Sequence, residues 1–109
     1  MKIEKELMRG AGPVAVLRIL EGGERYGYEL VKLLEQRSEG VLAMGQSTLY
    51  PMLYNLESKG LIDFRIDNTS ARPRKYYRLT TKGKQQLSEQ MRQWNALTLA
   101  MGKLGITGG

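Results

Sequence analysis

Five side chains able to hydrogen-bond a base edge or a phosphate crowd into one short stretch: Gln46, Ser47, Thr48, Tyr50 and Asn55. Between them Leu49, Leu53 and Leu56 recur at helical spacing, so one side of a helix is committed to a core and the polar set is left on its other surfaces. Amides and hydroxyls presented this way match the donor and acceptor pattern of a major groove. Singly, each also has an ordinary account: Ser47 caps the helix, Tyr50 packs beneath a neighbouring hairpin, and Asn55 is solvated. Further along come Arg72, Arg74 and Lys75 in an Arg-Pro-Arg-Lys run beside the polar turn Asn68-Thr69-Ser70, with the acids Asp63 and Asp67 on the other arm. Three bases at a hairpin tip suit a minor groove or a phosphate backbone. Tyr26, at the start of an earlier helix, adds a hydroxyl next to that helix's free N–H groups, a further place for a phosphate.

Other chemistries lack their residues. The 109-residue chain has neither Cys nor His, which removes thiolate and imidazole ligands and the usual general base at neutral pH. There is no glycine-rich phosphate loop, and the acids are scattered, so no metal, cofactor or enzymatic activity is expected. The net charge of +6 is unevenly spread. Residues 21–45 carry five acids and three bases, whereas residues 46–81 carry six bases and three acids, so positive charge collects where the polar helix and the hairpin lie. The start of the chain mixes charged and apolar residues without a long apolar run, as expected for a cytoplasmic protein away from membranes.

The elements that must position these groups are legible from periodicity and punctuation. A first helix covers Val14 to Leu20 and closes at Gly22-Gly23. Pro13 leaves two readings open, a helix start or a kink within a longer helix that includes Ile3 to Met8. A second helix runs from about Tyr26 to Ser38, with Leu30, Val31 and Leu34 as its apolar stripe. The third follows the turn at Met44-Gly45 with Ser47 as cap, holds Pro51 in its first turn, and ends at Lys59-Gly60. Leu61–Ile66 and Lys75–Leu79 read as the two strands of a hairpin around a polar turn from Asp67 to Pro73. Thr80 or Thr81 then caps a last helix.

Along that last helix Leu87, Met91, Trp94, Thr98 and Met101 recur at alternating spacings of four and three, with Leu97 alongside. A stripe of this kind on a helix beyond the core seeks a second copy. It either fills the dimer core or, with two Trp rings and several Met side chains facing each other, lines an adaptable apolar slot. The expected fold class is mainly α with a small β component: a winged helix-turn-helix over residues 1–81 with a two-stranded wing, and a dimerisation helix with a glycine-rich tail over 82–109. A protein-interaction module of the same fold would carry a neutral wing and an apolar third-helix face, which the Arg-Pro-Arg-Lys run opposes.

Four runs, in order, carry a resemblance: Tyr26-Gly27-Tyr28-Glu29-Leu30, Ser47-Thr48-Leu49-Tyr50-Pro51-Met52-Leu53, Leu56-Glu57-Ser58-Lys59-Gly60-Leu61-Ile62, and Arg74 through Gly83. Over roughly residues 8 to 104 the chain resembles the PadR family of bacterial transcriptional regulators. The resemblance implies a homodimer that binds a palindromic operator in double-stranded DNA, usually as a repressor, and is released by an effector. The single C-terminal helix is similar to that of the smaller subfamily. There a Trp corresponding to Trp94 lines an apolar pore between subunits, which implies a flat aromatic effector. Gly102 and Gly105 depart from that pattern by weakening the helix end.

Overall fold

The computed structural model describes residues 1–108. Its elements are α1 (Lys5–Glu21), β1 (Arg25–Tyr26), α2 (Gly27–Arg37), α3 (Gln46–Ser58), β2 (Ile62–Asp67), β3 (Arg74–Leu79) and α4 (Thr81–Lys103). The strands form one antiparallel sheet in the order β1-β3-β2. Among the described residues no helix is long and apolar enough to cross a membrane.

One core serves all of them. Val16, Leu17, Ile19 and Leu20 of α1 meet Leu30 and Leu34 of α2, Leu49, Leu53 and Leu56 of α3, Ile62 and Tyr77 of the sheet, and Leu87 of α4. Burial of this kind stabilises by about 1.5–3 kcal/mol for each large apolar side chain, and it holds together helices too short to persist alone.

Several local features differ from the pattern in the sequence. Of the two readings at Pro13 the longer helix is the one formed: α1 is continuous from Lys5, and the proline sits in its interior. The missing N–H forfeits one bond to Arg9, but Met8 is buried before the proline and Val16 and Leu17 after it, so packing on both sides carries the helix through. Ser47 is not the cap of α3. Gly45 is, with no side-chain cap bond, and Ser47 stands inside the first turn. Pro51 consequently lies in the second turn, beyond the positions where a helix tolerates proline without losing a bond.

The wing gains a strand. Arg25 and Tyr26 pair with Tyr77 and Tyr76 of β3, so the sheet has three strands where the hairpin pattern gives two. Two residues are too few to show a period of their own. The expected hairpin itself is present, with Ile62 opposite Leu79 and Asp67 opposite Arg74.

The hairpin hands the chain to α4 through a tight junction. α3 closes at Gly60, whose φ of 74° favours a residue without Cβ, and Leu61 N–H reaches back to the Leu56 carbonyl. The Leu61 carbonyl accepts from Thr80 N–H at 3.1 Å. Thr80 Oγ1 donates to the Gly60 carbonyl at 2.7 Å and accepts from Gly83 N–H at 3.0 Å, so of the two threonines it is Thr80 that caps α4. The backbone of α4 passes so close here that a Cβ on Gly83 would stand 2.0 Å from the Leu61 oxygen.

Leu87 belongs to this junction and not to the outer stripe. It is fully buried within the single chain, one helical turn past Gly83. The first turns of α4 therefore complete the winged-helix core through Gly83 and Leu87, and beyond Gln90 none of its side chains is buried. Gly83→Ala should lower stability by about 3 kcal/mol or more, because the nearest neighbour of the new methyl is the Leu61 carbonyl, backbone that cannot move aside as a side chain can. Urea unfolding at fixed protein concentration measures this, and an unchanged midpoint would refute the close approach.

Candidate nucleic-acid interface

α3 turns about 100° per residue, so burying Leu49, Leu53 and Leu56 sends Ser47, Pro51, Tyr54 and Ser58 to the opposite side. All four are exposed. Of the residues singled out in sequence, Gln46, Ser47, Thr48 and Asn55 are exposed as well, Thr48 and Asn55 along one margin of that face and Gln46 near the other. Tyr54 went unnoticed, yet it is 71% exposed near the middle of the face. The spacing 47, 51, 54, 58, complementary to the leucines, is the signal that locates it.

Tyr50 has a different role from its polar neighbours. Its ring lies over the start of α2, where a Cβ on Gly27 would come within 2.5 Å of the phenol oxygen. Tyr50 thus braces α3 against α2 while keeping part of its surface open. Tyr26, Gly27, Tyr50, Pro73, Arg74, Lys75 and Tyr77 line one notch between α2, α3 and the wing. Four residues named from separate stretches, Tyr26, Tyr50, Arg74 and Lys75, are brought together there. Asn55 is about 140° round the helix from Tyr50 and stands apart from the notch, while Arg72 is exposed on the wing tip.

The wing's charges are sorted by their partners. Arg78 Nε donates to Asp63 at 2.6 Å, and Arg65 Nε donates to Glu24 at 2.9 Å while its guanidinium lies 4.7 Å over the Tyr76 ring. Among the described residues no carboxylate comes within ion-pair distance of Arg72, Arg74 or Lys75. Aromatic faces hold two of them instead: the Arg74 guanidinium is 4.7 Å over the Tyr26 ring, and Lys75 Nζ is 3.8 Å over Phe64. Tyr26 itself meets Tyr76 edge-on at 5.6 Å, and its backbone N–H donates to Glu29 at 3.1 Å. Tyr28, half-exposed beside Tyr26 with Lys32 over its ring, is a second aromatic that the sequence pattern passes over.

The turn at the wing tip is built without using those bases. Asp67 accepts from the hydroxyl and the N–H of Thr69, at 2.6 and 2.9 Å, and these bonds hold its carboxyl below the usual carboxylate range. Ser70 Oγ donates to the Arg72 carbonyl at 2.7 Å.

Beyond Gln90, α4 exposes Met91, Trp94, Leu97 and Thr98, with Met101 half-buried. The Trp94 indole stands between two depressions. One is lined by Gly10, Gln90, Gln93 and Leu97, and the other by Ala11, Val14, Ala15, Arg18, Leu42 and Met91.

Three helices around a leucine core, a hairpin returning beside the third, and a polar helix face next to unpaired bases define a winged helix-turn-helix module. The family model described as the Transcriptional regulator PadR-like family matches residues 16–89, and the chain belongs to the PadR family of transcriptional regulators. Its fold is similar to a PadR family transcriptional regulator from Eggerthella lenta, with a TM-score of 0.81 and 42% identity over 94% of this chain and 88% of that one. It is also similar to Bacillus subtilis PadR, whose structure was solved in complex with operator DNA, with a TM-score of 0.67 and 30% identity over 72% of this chain and 46% of that one. The transcriptional regulator YqjI of Escherichia coli is 31% identical over 73% of this chain, a match that spans 37% of that protein's length.

The Arg65 hydrogen bond, ahead of its charge, keeps Glu24 ionised below the ordinary carboxylate range. Because the folded-state pKa is lowered, the pair's contribution is present above the ordinary range and lost as pH falls through the folded value. Following the Glu24 carboxyl by NMR titration should show its midpoint return toward the ordinary value in Arg65→Ala. An identical midpoint in both proteins would show that the pair does not form.

Proposed function

We propose that the chain is a homodimeric repressor in the cytoplasm that reads a palindromic operator in double-stranded DNA and is released by a flat aromatic effector. The observation that carries this reading is the solvent face of α3, whose hydrogen-bonding side chains lie beside a wing with three bases unpaired in the fold. The operator complex of Bacillus subtilis PadR, a relative in fold and family, supports it.

On this reading α3 enters a major groove with Gln46, Ser47 and Thr48 leading, Tyr54 and Asn55 following, and the hydroxyls and amides pairing with base edges. Arg72, Arg74 and Lys75 lie along phosphates or an adjacent minor groove. Tyr26 and the free N–H groups opening α2 take a further phosphate at the notch, while Tyr50 keeps α2 and α3 in register. No step needs a metal or a cofactor.

Residues 1–81 then read DNA and residues 82–109 pair the subunits, except that Leu87 is given over to the core. Met91, Trp94, Leu97, Thr98 and Met101 offer a stripe that a second copy would cover across a two-fold axis, and two-fold proteins read two-fold operators. The apolar depression beside Trp94 receives the effector, with the indole as a stacking surface and Met91 as an adaptable wall.

Two experiments test it. A duplex obtained by selection from random sequence should bind wild type with a steep salt dependence. Replacing Arg72, Arg74 and Lys75 by Ala should flatten the slope by about one unit per lost phosphate contact, with base preference kept, whereas Thr48→Ala should relax preference at one half-site position by about 1–3 kcal/mol. Unchanged slope and preference would remove both elements from the interface. The dimer and effector parts rest on Trp94, the only Trp of the chain. Sedimentation at micromolar concentration should give a dimer, and planar aromatic compounds should quench the fluorescence saturably while weakening operator binding. A monomer would defeat both parts, and a dimer silent to a broad panel would defeat the effector.

A further inference from the structure

One wall of the depression beside Trp94 belongs to neither α1 nor α4. Leu42 lies in the connection between α2 and α3, yet it lines the depression together with Ala11, Val14, Ala15, Arg18, Met91 and Trp94. A neighbouring depression against the end of α2 shares Ala15, Arg18 and Leu42, so the Leu42 side chain stands between the two.

The connection that carries Leu42 is tied at several points. Ser38 Oγ donates to the Leu34 carbonyl at 2.6 Å and accepts from Leu42 N–H at 2.9 Å, which pins the turn to the last turn of α2. Ala43 N–H donates to the Gly40 carbonyl, and Ile3 N–H to the Val41 carbonyl, both at 3.2 Å. Met44 is buried in the core, and Gly45 is the cap of α3. Between Leu42 and Gln46 the chain holds Ala43, Met44 and Gly45 and nothing else. A displacement at Leu42 therefore has no flexible loop in which to dissipate before it reaches the first turn of α3.

We propose that Leu42 is the residue through which an aromatic ligand in the Trp94 groove controls α3. The inference rests on the effector reading above and adds its route. The lining side chains other than Arg18 are apolar or aromatic, and the volume of about 300 Å³ fits a flat fused-ring molecule of mainly apolar character. Such a molecule, stacked on Trp94, presses on Leu42. It thereby favours positions of the connection in which the Ser38 bond is broken and Gln46, Ser47 and Thr48 are turned away from their places on DNA. A ligand shifts an equilibrium only by its preference for one state, and the contact with Leu42 supplies that preference inside a single protomer.

The chain has no cysteine, so Ala15→Cys places a single thiol at the groove. Labelling it with pyrene maleimide seats an aromatic ring there whatever effector the protein takes. The unlabelled variant sets the reference affinity for the selected duplex, and labelling should weaken it about tenfold or more, within the usual range of coupling between sites. Adding Leu42→Ala to the labelled protein should restore affinity to within about threefold, with sedimentation confirming the same oligomer throughout. Leu42→Val, a smaller change should the alanine variant unfold, should restore part of it. A label without effect on affinity, or a loss that persists in both Leu42 variants, would overturn the proposal. If the wild type selects no duplex, the regulator reading itself fails and this inference falls with it.

Discussion

Burial of Leu49, Leu53 and Leu56 on one side of α3 is the constraint from which the rest of the surface follows. These leucines meet residues from both earlier helices and the sheet, so α3 has no freedom to rotate about its axis without exposing them. Once that side is committed, Ser47, Pro51, Tyr54 and Ser58 must face water, and Gln46, Thr48 and Asn55 must flank them. The polar face is thus held rigidly by a core that contains none of its residues, and side chains presented from a rigid helix lose less entropy when they meet a partner.

The wing applies the same economy to charge. Arg65 and Arg78 are neutralised by Glu24 and Asp63 at its base, and the surface pairs themselves contribute little stability. Among the described residues Arg72, Arg74 and Lys75 are left without a carboxylate partner. Stacking of Arg74 on Tyr26 couples the wing to the start of α2, and the two-residue β1 strand reinforces that coupling through the backbone.

The two ends of α4 face different demands. At Gly83 and Leu87 it is part of the winged-helix core, clamped by the Thr80 cap and the close passage beneath Leu61. From Met91 onward it presents apolar side chains to solvent, with Trp94 set against α1 and the α2–α3 connection. The helix is thus fixed at one end by the core and open to solvent at the other.

Hydrophobic periodicity was enough to locate four helices, the hairpin and the polar side of α3, because burial imposes period 3.6 or 2 on any chain that forms these elements. The lack of Cys and His was enough to remove thiolate and imidazole groups from the inventory, and the four ordered runs were enough to point to the family. Tertiary structure decided the remainder. It carried α1 through Pro13 by burying residues on both sides, drew Arg25 and Tyr26 into the sheet, and moved the cap of α3 from Ser47 to Gly45. It also took Leu87 from the outer stripe into the core and placed Leu42 and Trp94 on the walls of one depression. Spacing along a chain reports which residues share a face, but which neighbour covers that face depends on contacts between elements far apart in sequence, and those exist only once the fold has closed.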